Sequence, residues 1–279
     1  MALRDRVPGA LRPALLTAAR HVEAVVSPGA ILGALRGYPR FLADRRAFTA
    51  LPGAPPLRRS EDLPQLLDRT ETTPFEPHYT FQDGWAAREV ARLAPERHVD
   101  VASRISFPIG LSAFVPVTFV DLRRLEVDLP GLECEVGSVL SLPFADRSLQ
   151  SLSCLHVAEH IGLGRYGDEL DPDGTAKAAL ELQRVLAPGG TLLVGLPVGR
   201  ERVEFNAHRV HDPVRVPGLF PELGLDGFAG VDDDGAFHSR LDPADLRGSR
   251  WACGLYRLRR ERDSAASGAV SGAHSAGRT

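Results

Sequence analysis

Lysine is almost missing from this 279-residue chain: of its 33 cationic side chains only Lys177 is a lysine, a skew we read as coding bias rather than chemistry. Cysteine is scarce too. Cys134, Cys154 and Cys253 are odd in number and far apart, and the last two lie inside apolar runs. That pattern excludes a disulfide framework and fits buried reduced thiols rather than a zinc site. No run approaches the roughly 18 apolar residues of a membrane span. The stretch after Arg4, Arg6 and Arg12 is broken by Arg20, His21 and Glu23, so no signal peptide is expected and the cytoplasm is the expected location. Charge of one sign is also lacking. A net charge of -3 gives no pull toward nucleic acid, and 43% hydrophobic with 25% charged residues is globular composition that excludes collagen and a disordered chain.

What is present is unevenly distributed. Residues 1–50 carry eight arginines (4, 6, 12, 20, 36, 40, 45, 46) against Asp5, Glu23 and Asp44. Leu11, Leu15, Ala18, Val22 and Val25 recur at helical spacing, and a second set, Ile31, Leu32, Leu35, Phe41 and Leu42, is interrupted by Pro39. Such a basic arm can dock on its own core or touch an anionic membrane surface peripherally. Six prolines in residues 51–78 read as a linker. The expected organisation is a helical arm and Pro-rich linker over 1–78, a catalytic-type domain over 79–260, and a disordered Ser/Ala/Gly-rich tail over 261–279.

From residue 79 onward strands and helices alternate. Asp83 is a candidate cap for a helix that aligns Trp85, Ala86, Val90 and Leu93. Strand-like runs follow at 98–103, 115–122, 132–138, 149–156, 191–197, 225–231 and 251–258, with a clear helix over 175–187 that stops at Pro188-Gly189-Gly190. The connections after Asp121 are short, so one crossover is expected to lack its helix. This alternation predicts a mainly parallel sheet covered on both faces. In such sheets ligands bind beyond the carboxyl ends of the strands. The residues to weigh are therefore Asp100–Arg104, Asp121, Gly137–Ser138, His156–His160 and Pro197–Arg200.

Taken in order, these stretches resemble the class I S-adenosylmethionine-dependent methyltransferases. VGSVLSLPFADRSLQSLSCLHVAEH followed by LELQRVLAPGGTLLVGLP is similar to that superfamily's run from third to fifth strand, and Asp121 closes FVDL where a carboxylate can accept both ribose hydroxyls. HVDVASR, HVAEHIGLGRYGDELDPDG and FNAHRVHDP resemble a little-characterised branch, a domain of unknown function. The resemblance implies a Rossmann-like, doubly wound, seven-stranded α/β fold with an N-terminal helical extension. It also implies S-adenosylmethionine as cofactor and methyl transfer to a small-molecule or glycan-type acceptor. The cofactor residues it implies are Asp100, Ala102, Ser103, Arg104, Asp121 and Ser138.

The chain departs from that pattern at the first strand. Asp100-Val-Ala-Ser-Arg104 stands where a glycine-rich loop is usual, so the side chains at 102–104 either turn away or contact the ligand. Arg104 is a candidate partner for the cofactor carboxylate. Ser138 replaces the acidic residue near the adenine and can still accept from its amino group. A degenerate loop leaves a second reading, a non-catalytic partner or scaffold protein with the same fold.

His156, Glu159, His160 and His208 are the candidate general bases. H-x-x-E-H is also an inverted zinc-hydrolase motif, but His156 ends a strand-like run and no third ligand is evident, so no metal is expected. Residues 162–174 hold four glycines and four acids and suit a substrate lid with Arg165 and Asp168 as contacts. Asn206 and Arg209, after the fifth strand, are further substrate candidates. Asp232–Gly235 suits a tight turn.

Overall fold

The computed structural model describes residues 27–263. The expectations for a helix over residues 11–25 and for most of the tail lie outside the described residues. Two compact units divide after Pro74. No helix among the described residues is long and apolar enough to cross a membrane.

In the first unit, Pro28–Thr49 forms helix α1. Its start follows from local chemistry: the Ser27 hydroxyl accepts from Ala30 N, and Pro28 fills the first position, where no amide partner is lost. The helix runs through Pro39, which corrects the expected interruption. A proline interior to a helix costs roughly 3 kcal/mol, so other contacts must offset it. Two such contacts are visible. The Arg45 guanidinium donates to Asp62 at 2.8 Å. Gly37 also lies so close to the returning chain that a Cβ there would meet the Leu66 carbonyl at 2.5 Å.

The second unit holds a Rossmann-like mixed sheet. Strands β1 (His98–Val101), β2 (Val117–Asp121), β3 (Leu132–Val136), β4 (Leu149–Leu155), β5 (Leu186–Val198), β8 (Gly224–Val231), β9 (Phe237–His238) and β10 (Ala252–Arg259) lie in the order β3-β2-β1-β4-β5-β10-β8-β9. β3, β2, β1, β4 and β5 pair in parallel. β10 inserts between β5 and β8, antiparallel to both, and β9 pairs antiparallel to β8. The expected seven-stranded, mainly parallel sheet is thus corrected to eight strands with a mixed half. The extra strand is only two residues long, too short for alternation to reveal. It follows the Asp232–Gly235 turn, where Asp232 N donates to Ala236 O and Gly235 adopts φ +79°. A separate hairpin pairs β6 (Arg202–Glu204) with β7 (His208–Val210).

Helices α2 (Pro77–Leu93), α3 (Ser106–Leu111) and α4 (Gly174–Val185) cover the sheet. Trp85, Ala86 and Val90 of α2 and Phe107 and Leu111 of α3 pack on one face with Phe119, Leu193 and Leu255. Ala178, Ala179, Leu182 and Val185 of α4 pack on the other with Val99, Leu152 and Val194. The cap of α2 corrects the expectation for Asp83: Glu76 accepts from Tyr79 N and Pro77 opens the helix, leaving Asp83 inside it. Both connections after Asp121, residues 122–131 and 137–148, lack a helix, one more than expected. The strand order reverses between β1 and β4, and that switch point is where open sheets leave a crevice at their carboxyl edge.

Candidate functional site

The loop after β1 is built from the inside of the sheet. Asp100 is fully buried, and its carboxyl accepts from Ser103 N at 3.1 Å, from Ser103 Oγ at 2.7 Å and from Ser153 Oγ on β4. Ser103 Oγ in turn accepts from Leu155 N. His98, also on β1, bridges Ser151 and Ser153 through its two ring nitrogens. Burial pushes Asp100 up to about 7, against the pull of its serine partners, and pushes His98 down to about 3. The network turns the chain sharply. Ala102 takes φ +54°, the left-handed conformation that a glycine adopts freely and an alanine only with strain.

The loop after β4 repeats that turn with different chemistry. His156 takes φ +55°, then Ala158–His160 forms a single 3-10 turn. His156 Nδ1 lies 2.8 Å from Glu159 Oε1, and its Nε2 lies 3.4 Å from Cys253 Sγ on β10. Burial opposes charge on His156, yet Cys253 and Glu159 outweigh it and hold the imidazole well above its ordinary value. Burial likewise opposes charge on Glu159, and His156 and His160 overcome it, so the carboxylate sits below its ordinary range. Glu159 is fully buried, and among the described residues its Oε2 has no hydrogen-bond partner. His160 Nδ1 lies 2.6 Å from the Ala207 carbonyl. The shorter contact, to a carbonyl that only accepts, favours a proton on Nδ1, although Arg165 Nη1 also lies 3.2 Å from that nitrogen. Burial pushes His160 below its ordinary value despite Glu159, whose Oε1 is 3.7 Å from Nε2.

The glycine-rich loop that follows is pinned at its neck. Gly162 faces Asp171 so closely that a Cβ would lie 2.1 Å from its carbonyl. Arg209, from β7, donates to the carbonyls of Ile161, Asp171 and Pro172. Asp168 organises the tip by accepting from the amides of Gly162, Gly164 and Tyr166. Tyr166 stacks under two guanidinium groups, Arg123 at 5.3 Å and Arg165 at 5.2 Å.

These loops enclose a cleft of about 760 Å³, counting its open mouth, at the carboxyl edge beside the switch point. Among the residues weighed from sequence, Ala102, Asp121, Ser138, His156, His160 and Asp168 line it. Asp100 and Ser103 instead lie in the sheet interior, and Arg104 sits over the Tyr79 ring at 5.7 Å. Glu159 lies behind the two histidines. His208 packs 4.2 Å from the Trp251 ring, with Nε2 3.1 Å from Glu204. Arg165 donates to the Ala207 carbonyl beside His160, and Asn206 Nδ2 reaches the Leu163 carbonyl at 3.4 Å. Arg209 is held by the loop's neck. His156 and His160 do not share a helix, which removes the geometry of the inverted zinc-hydrolase motif.

The wall chemistry fits a nucleoside. Asp121 gives one carboxylate oxygen to Arg123, at 2.8 Å from its amide, and among the described residues no partner takes the other. Leu122, Val139 and Leu140 add an apolar strip next to Ser138, whose Oγ accepts from Leu140 N. Tyr166, Arg123, Leu122 and Leu140 escaped the sequence reading. The signal that could have flagged Tyr166 is a lone aromatic inside a polar, glycine-rich loop.

A family profile described as a Caenorhabditis protein of unknown function, DUF268, matches residues 145–245. This range holds both the His156–His160 segment and the Asn206–Arg209 segment. A curated relative, an uncharacterised 37.1 kDa protein in transposon TN4556 of Streptomyces fradiae, is 36% identical over 75 residues. The match spans 27% of this chain and only 19% of that relative's length. Among solved structures the chain is similar to the N-methyltransferase NodS from Bradyrhizobium japonicum WM9 (15% identity, 67% of this chain and 98% of that one, TM-score 0.47). It is similar as well to the YcgJ protein of Bacillus subtilis (15%, 66% and 100%, TM-score 0.47) and to a SAM-dependent methyltransferase of Thermotoga maritima (18%, 66% and 91%, TM-score 0.42).

Proposed function

We propose that the cleft binds S-adenosylmethionine and that the protein transfers its methyl group to a hydroxyl or similar nucleophile on a small, glycan-type acceptor. One observation carries the reading: Asp121, the left-handed Ala102 and His160 converge on one cleft at the sheet's switch point. When bound, the cofactor supplies an electrophilic methyl on a sulfonium. In this reading the unpartnered oxygen of Asp121 accepts from the ribose, and Ser138 with Leu140 holds the adenine. Transfer is then largely a matter of alignment. His160 is the base: Nδ1 is fixed on Ala207, so Nε2 takes the acceptor's proton, and Glu159 stabilises the imidazolium that results. Both nitrogens of His156 are occupied, so it positions Glu159 instead. Arg165, at the cleft mouth, is the acceptor contact. The setting we propose is cytoplasmic, with an acceptor that is not nucleic acid.

Calorimetric titration with S-adenosylmethionine tests this. The full chain should bind one cofactor, Asp121→Ala should weaken binding at least tenfold, and His160→Gln should leave binding intact while slowing transfer about 10²–10⁴-fold. No heat and no thermal shift at millimolar cofactor would defeat the proposal. That result would favour the second reading, a non-catalytic partner protein, which draws on the Ala102 methyl in the loop and on Arg104 standing outside the cleft.

A further inference from the structure

Three potential metal ligands meet from elements far apart in sequence, one of them, His156, on the cleft wall. His78 comes from the first turn of α2, His156 from the end of β4 and Cys253 from β10, and one ligand atom of each lies within 4.8 Å of the other two. His78 and Cys253 are buried, and the His156 side chain is only 5% exposed. The His78 and His156 rings stack with planes 7° apart and centroids 5.8 Å apart, so His78 must rotate for its in-plane lone pair to meet an ion held by His156, and Trp251 stacks on His78 at 5.6 Å.

We propose that His78, His156 and Cys253 bind one thiophilic divalent transition-metal ion of the zinc class. Zinc–sulfur and zinc–nitrogen bonds of about 2.3 and 2.0 Å at a tetrahedral angle separate S from N by roughly 3.5 Å. The observed 3.4 Å between Cys253 Sγ and His156 Nε2 has that length. The orientation of His156 matches as well. Its Nδ1 is held by the Glu159 carboxylate, the partner that metal-bound imidazoles characteristically carry, and this leaves Nε2 aimed at the thiol. One nitrogen-rich set with a single sulfur suits zinc or its cobalt substitute better than calcium or magnesium, which take oxygen ligands. Binding requires Cys253 as the thiolate and His156 Nε2 without its proton, so it releases protons to solvent and weakens as pH falls. Three protein ligands leave the fourth tetrahedral position for water or a bound molecule. The ion would tie α2 to β4 and β10, independently of whether the cleft binds S-adenosylmethionine.

The test titrates Co(II) into chelator-treated full-length protein and follows the thiolate-to-metal charge-transfer band. One equivalent should saturate the band, and one equivalent of Zn(II) should bleach it and raise Tm. Cys253→Ser should abolish the band, His78→Gln should weaken binding at least tenfold, and Cys134→Ser, at a thiol remote from the set, should change neither. His78→Gln sits at a helix start and keeps the test decisive should Cys253→Ser fold poorly. No band and no Zn(II)-dependent Tm shift would overturn the proposal and leave a plain Cys–His hydrogen bond. A band that survives in a folded Cys253→Ser variant would overturn it too.

Discussion

The loops after β1 and after β4 begin alike and diverge at once. Each leaves its strand through a left-handed, non-glycine residue, Ala102 at φ +54° and His156 at φ +55°, and both residues line the same cleft. Behind Ala102 the supporting groups form a buried hydrogen-bonded chain of His98, Ser151, Ser153, Asp100 and Ser103. Behind His156 they are charged and incompletely satisfied: Glu159 Oε1 lies between two histidines, and its Oε2 has no hydrogen-bond partner among the described residues. The same backbone conformation is thus supported by a hydrogen-bonded polar chain in one loop and by a charged, incompletely satisfied cluster in the other. Strain at a site is retained only where the surroundings over-determine it, and the two loops do this by different means.

Glu159→Ala strips the counter-charge from a buried pair and should cost about 3–5 kcal/mol by urea unfolding, whereas an equivalent polar deletion in the first loop should cost less. The pH response separates the loops next. Asp100 binds its proton up to about pH 7 when folded and only to about pH 4 when unfolded, so its contribution is full below pH 4 and is lost as pH rises toward 7. The stability of wild type relative to Asp100→Asn should therefore fall by about 2–3 kcal/mol between pH 5 and 7.5, measured by denaturant titration at each pH. A flat difference would mean that Asp100 is charged throughout. Arg209→Ala releases three carbonyls at the neck of the second loop. It should cost about 2 kcal/mol and speed proteolysis within residues 162–173, while leaving the first loop protected from hydrogen exchange. The smallest effect has the opposite sign: Ala102→Gly relieves a left-handed alanine and should raise stability by about 0.5–1 kcal/mol in thermal melts, without weakening ligand binding.

Much of the sheet was legible because its buried strands read as apolar runs. All seven runs read from sequence appear as β1–β5, β8 and β10. Their order was not legible. Nothing in the run Trp251–Leu258 says that it inserts between β5 and β8, because pairing partners are chosen by tertiary packing. Helix starts were misread where a side chain other than the expected one caps: Glu76 with Pro77 outcompeted Asp83. In the site, Asp121, Ser138 and His160 could be found from their places after strands. Arg209 and Asp168 both hydrogen-bond the backbone of the 162–173 loop, and of the two only Asp168 also lines the cleft, a distinction their sequence positions do not carry. The meeting of His78 with Cys253 left no local signal, because only the fold brings α2 and β10 together.

The most direct test of the account is a crystal structure of the full chain with S-adenosylhomocysteine. The account predicts the ribose on Asp121, the adenine against Ser138 and Leu140, and the sulfur directed toward His160 past the Ala102 turn. A ligand bound elsewhere, or a saturated crystal whose cleft stays free of it, would contradict the central claim.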